Sequence, residues 1–148
     1  MSEHHASVTW ARGERGFSYE EYGRDHTVAF GTGSAMAASA AVEYRGSPTL
    51  PNPEELLVAA LSSCHMLTFL AICAKKKIVI ERYEDAAVGW LERPTGQPMH
   101  VTRVVLRPRV TFGAAPPDAA ALAALHEQAH HGCFIAQSVK TEVTVEPV

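Results

Sequence analysis

From Leu56 to Ala74 the chain carries a nearly unbroken apolar run, and this run restricts the fold more than any other feature. Asn52-Pro53-Glu54-Glu55 precedes it and Lys75-Lys76-Lys77 follows it. Asparagine can cap the first free amides of a helix, and proline fits the first helical position. Carboxylates favour the positive end of the helix dipole and lysines the negative end. The pattern therefore predicts a helix from residue 53 to about 77. Its length approaches that of a membrane span. However, Ser62, Ser63, Cys64, His65 and Thr68 stand in its middle, and the flanking sequence is patterned for a soluble fold. The expectation is a buried core helix, apolar on all sides because other elements cover it, with no membrane partner.

Those covering elements are legible as strands. Residues 7–12 and 16–31 alternate in polarity, punctuated by Gly13, Gly16 and Gly23, and 36–44 is a weaker strand candidate. Pro48 and Pro51 make 46–52 a loop. Residues 79–92 and 99–112 read as two strands joined by a turn at 93–98. Pro116-Pro117-Asp118 opens a second helix that ends near Gly132, and 139–145 alternates as a closing strand. The expected layout is α+β, with a β-sheet wrapped around a long central helix. At 148 residues and 47% apolar, the chain suffices for a single domain, 1–148, but not for two.

A net charge of −3 leaves no basic footprint, which argues against nucleic acid as a partner. Three cysteines are an odd number and do not suggest a disulfide scaffold. The start of the sequence lacks a basic stretch followed by an apolar one, so the expectation is cytoplasmic thiols. Cys73 follows Cys64 by nine positions, about half a turn out of phase and about 13 Å further along the axis. A disulfide needs Cα atoms about 4–7 Å apart, so these two cannot join, and Cys73 reads as a small apolar filler. Cys64 and Cys133 remain: either a working pair or two more packed, inert thiols, which spacing alone would favour.

The surrounding residues bear on that choice. Asn52-Pro-Glu-Glu-Leu-Leu with Ala59-Ala-Leu-Ser-Ser-Cys-His, and later Cys133-Phe-Ile-Ala-Gln-Ser-Val, resemble the two signatures of the OsmC/Ohr family of organic-hydroperoxide-reducing thiol proteins. The resemblance implies a thiol-dependent peroxidase without a cofactor, acting on alkyl or fatty-acid hydroperoxides in the oxidative stress response. It makes Cys64 the attacking thiolate and Cys133 the thiol that condenses with the resulting sulfenic acid. A dithiol reductant, in the family often a lipoyl-bearing protein, would reset the disulfide. Glu54 matches the glutamate that holds an activating arginine, with Arg45 the first candidate for that arginine and Arg24 the second. Glu55 is read as helping the helix start only. Glu54 precedes Cys64 by ten residues, about 15 Å along a straight helix. Either the helix breaks, or Glu54 serves the cysteine of another chain, as the family's intertwined homodimer would allow. Leu61, Met66, Leu67, Phe69 and Phe134 are the apolar side chains expected to meet substrate, and His65 is expected to be an ordinary buried histidine.

Two other readings compete. His126-Glu-Gln-Ala-His130 matches the zinc-protease pattern, but a catalytic zinc needs a third ligand that the remaining chain does not obviously supply. A lipid or small-ligand carrier would need an apolar pocket but neither the arginine nor a thiol pair.

Overall fold

In the computed structural model, which describes residues 1–148, the apolar run forms one continuous helix, α1, Pro53–Lys75. Its start is a reciprocal capping box. The Glu55 amide donates to Asn52 Oδ1 at 2.9 Å, and the Asn52 amide donates to Glu55 Oε2 at 3.0 Å. Its end is a Schellman closure. Lys77 takes a left-handed conformation (φ 59°), and the Ile78 amide reaches back to the Cys73 carbonyl at 2.9 Å. The fully buried residues of α1 are Leu61, His65, Phe69 and Cys73, spaced by four, so they form one stripe along the helix.

The chain divides into two units, Met1–Leu56 and Leu57–Val148. In the first, β1 (Ala6–Thr9), β2 (His26–Phe30) and β3 (Ala35–Ala38) form an antiparallel sheet in that order. Strand structure does not extend over residues 16–25, where the expected alternation gives way to turns. The aromatic residues there pack on one another instead: Trp10, Phe17 and Tyr22 have ring centroids 5.8–6.4 Å apart. Residues Val42–Tyr44 form a 3-10 turn rather than a strand and end at Arg45, which is left-handed (φ 64°). Gly46 is required next, because a Cβ there would lie 1.6 Å from the Ala40 carbonyl oxygen. The buried Ser39 pins this loop: its hydroxyl donates to Asp25 at 2.8 Å and accepts from the Ser47 amide at 3.0 Å.

In the second unit the two expected long strands each break into two. These are β4 (Ile80–Asp85), β5 (Val88–Glu92), β6 (His100–Leu106) and β7 (Pro108–Phe112). One sheet pairs β4 with β7, and another runs β5-β6-β8, with β8 (Glu142–Val145) parallel to β6. The breaks have a common cause. The Arg107 amide donates at 2.7 Å to Asp85 Oδ1 instead of to a strand, so both runs change sheets at that point. Helix α2 (Ala119–Gly132) is capped by Asp118, whose carboxylate accepts from the Ala121 amide at 2.8 Å. Leu61 of α1 packs on Val101, Val104 and Leu106 of β6. Phe69 and Cys73 pack on Leu125 and Ala129 of α2. Burying a side chain of that size stabilises the fold by about 1.5–3 kcal/mol. The α+β class and the long helix are as expected, with the strands shared among three sheets.

Candidate functional site

Helices α1 and α2 bring two thiols together. Cys64 lies mid-way along α1 and is partly exposed, whereas Cys133 is 1% exposed and directly follows α2. The chain turns at that point, and the Cys133 amide donates to the His130 carbonyl at 3.2 Å. The Cys133 side chain lies close enough to Cys64 for the two thiols to interact. Burial, reinforced by the neighbouring Cys64 side chain, pushes the Cys133 pKa up to about 11, although the Ala136 amide 3.5 Å from its sulfur works in the other direction. The result is an asymmetric pair: one accessible sulfur with a buried, protonated one against it. Cys73 is fully buried among apolar side chains and takes no part, as its spacing predicted.

The first unit contains a cavity of about 600 Å³, walled largely by Trp10, Phe17, Tyr22 and Tyr44, with Arg24 and Glu54 in its lining. Arg24 is the better placed of the two candidate arginines. Its guanidinium lies 3.6 Å from the centre of the Tyr22 ring and donates to the carbonyls of Tyr19 and Tyr22. Its Nε is buried and has no partner. Arg45, the first candidate from sequence, is exposed and absent from the cavity wall. The capping box explains the division of labour between the glutamates: Glu55 is engaged with Asn52, while Glu54 lines the cavity.

The expected substrate contacts divide. Leu61 and Phe69 are fully buried core residues, closed to a ligand by their own packing. Met66 is intermediate, while Leu67 and Phe134 are exposed. Trp10, Phe17, Tyr22 and Tyr44 were missed as wall residues. Trp10, Phe17 and Tyr22 cluster within one short aromatic stretch, a signal available in the sequence, whereas Tyr44 lies apart and has none.

His65 is buried, as expected, but it is not solitary. Its Nε2 lies 3.1 Å from His126 Nδ1, and the two rings stack with His126 also lying on Phe69. Burial holds both imidazoles down at a pKa of about 4. The zinc-protease pattern does not assemble. Glu127 is exposed and 3.2 Å from His131, and no group of three His, Cys, Asp or Glu side chains is placed to hold a metal.

A family model described as OsmC-like protein matches residues 46–148. Among solved structures, an OsmC-like protein of unknown function from Vibrio cholerae is 45% identical over 100% of both chains, with a TM-score of 0.95. The fold is shared with two organic hydroperoxide resistance proteins. One is from Legionella pneumophila, at 18% identity over 99% of this chain and 96% of that one, TM-score 0.72. The other is from Elizabethkingia anophelis, also at 18% identity, over 100% of this chain and 98% of that one, TM-score 0.72. No curated protein matches the chain.

Proposed function

Because the chain belongs to the OsmC-like protein family, we propose that it is a cysteine-based peroxidase that reduces organic hydroperoxides. The contact between an accessible Cys64 and a buried Cys133 carries this reading. The Cys64 thiolate attacks the distal peroxide oxygen, the O–O bond breaks, and the alkoxide leaves as an alcohol after taking a proton. The sulfenic acid on Cys64 then condenses with the Cys133 thiol, forming a disulfide and releasing water. A protonated Cys133 suits this order, because it stays unreactive toward peroxide until its neighbour has been oxidised. A small dithiol or lipoyl-bearing protein returns the pair to thiols by exchange.

Arg24 and Glu54 act as the activating and orienting groups. Helix α1 is continuous from Pro53 to Lys75, so no break lets Glu54 fold back toward Cys64. The reading therefore includes a homodimer in which the Arg24–Glu54 cavity of one protomer serves the thiols of its partner. The exposure of α1 supports this. On length and composition it could cross a membrane (mean hydropathy 2.1), yet only 22% of that stretch is buried within the chain. Leu67 is 60% exposed on this helix. A second copy would cover this surface in a soluble, cytoplasmic protein.

Stopped-flow mixing of reduced protein with cumene hydroperoxide tests the proposal. One equivalent should be consumed rapidly with loss of two thiols, and Cys64→Ser should reduce this to the buffer rate. The cavity wall contains no thiol, which is the one observation favouring a non-catalytic carrier. A carrier would bind the hydroperoxide without consuming it.

A further inference from the structure

The stacked histidines are the buried polar group that the peroxidase reading leaves unused. His65 is fully buried and His126 is 3% exposed. Each has one ring nitrogen facing the other and one without any partner: Nδ1 of His65 and Nε2 of His126. Their mutual bond is the one directional contact either imidazole makes. Buried polar groups are costly when only partly satisfied, and an apolar pair of similar size would pack at lower cost. What the pair supplies is geometry. A bond between two neutral imidazoles forms only when the donor nitrogen of one meets the lone pair of the other.

That geometry bears on the thiols. His65 is the residue after Cys64 on α1. His126 precedes Cys133 by seven residues, close to two turns of α2, so it projects toward α1 from nearly the same side as Cys133. A third point of contact lies beside them: a Cβ on Gly132 would come within 3.0 Å of Thr68 Cγ2, and the Thr68 hydroxyl donates to the Cys64 carbonyl at 2.9 Å. The histidine bond, the Gly132–Thr68 approach and the sulfur contact therefore register one helix on the other. Of the three, only the histidine bond specifies direction.

We propose that His65 and His126 are positioning residues for the thiol pair, their hydrogen bond setting the rotation of α2 on α1 that keeps Cys133 against Cys64. The inference rests on the redox role proposed for the two thiols. It adds that the histidines govern disulfide closure rather than the first attack on peroxide.

The test compares His126→Phe with His126→Asn. Phenylalanine keeps an aromatic ring on Phe69 and loses the bond, whereas asparagine places an amide where Nδ1 stood. The readout is the Cys64–Cys133 disulfide at equilibrium in glutathione redox buffers, located by peptide mapping. Two electrons pass to oxidised glutathione as the disulfide forms, giving an effective concentration for the pair. His126→Phe should lower that concentration about tenfold, the loss expected for one buried hydrogen bond. His126→Asn should restore it to within about threefold of the parent value. In peroxide kinetics the first oxidation should keep its rate while closure slows. An unchanged effective concentration in His126→Phe, or equal losses in both variants, overturns the proposal. If His126→Phe does not fold, His65→Leu against His65→Gln makes the same comparison from α1. Glutathione exchange needs no peroxide, so a parent protein that consumes none sinks the peroxidase reading and leaves this measurement intact.

Discussion

The two units place their candidate functional groups differently. In residues 1–56, polar and charged side chains line an open concavity: Arg24 and Glu54 stand in a wall otherwise built from Trp10, Phe17, Tyr22 and Tyr44. In residues 57–148, three candidate groups are sealed away: His65, His126 and Cys133 are each at most 3% exposed. The first arrangement suits binding and charge stabilisation, because a guanidinium whose Nε–H has no protein partner can donate to an anionic oxygen. The second suits a bond between two protein atoms, because packing holds them in register while excluding water. The proposed peroxidase reaction would need both arrangements, and this chain builds each from different local material.

Separating the regions by mutation gives the largest expected effect. Arg24→Met should slow peroxide consumption about a hundredfold or more, the usual loss when a charge-stabilising donor is removed. It should leave the Cys64–Cys133 disulfide equilibrium where it was. A parallel loss of both would show that the cavity also shapes the thiol pair.

Acid should then expose the second region alone. Both buried imidazoles have a folded pKa of about 4, against about 6.5 when unfolded. Between those values the unfolded chain takes up protons that the folded chain excludes, so stability falls as pH drops from 6.5 to about 4 and is level above 6.5. The groups facing them pull in both directions: His130 of α2 disfavours charge on His65, and Asp85 of β4 favours it on His126. The loss should be on the order of 3 kcal/mol per imidazole at most. Urea midpoints at pH 7.5, 5.5 and 4.5 measure it. His126→Phe should flatten the slope by about half.

The smallest effect concerns Arg45. Its left-handed backbone costs a non-glycine residue about 1 kcal/mol, so Arg45→Gly should raise stability by up to that amount. Peroxide kinetics should not change. A clear loss of activity in Arg45→Gly would return Arg45 to the site in place of Arg24.

Much of this was readable in advance where the signal is local. Helix α1 begins with the capping residues its sequence announces and ends where the lysines suggested. Its phase ruled out a Cys64–Cys73 bond. Long-range pairing was harder to see. The runs 79–92 and 99–112 look like two strands because each alternates throughout. Their division follows from Asp85 capturing the Arg107 amide, a contact 22 residues apart in sequence. The choice between Arg24 and Arg45 was equally hidden, since both lie beside glycine and only the folded loop puts one of them over Tyr22.

Local chemistry, then, settled what the sequence alone could settle. A proline, an asparagine and two glutamates start a helix wherever they occur, and a thiol's angular position on that helix follows from its number. Tertiary packing decided the rest: which sulfur is accessible, which arginine joins Glu54, and which imidazole meets His65. Those outcomes depend on residues far apart in the chain, brought together by burial that no short stretch specifies.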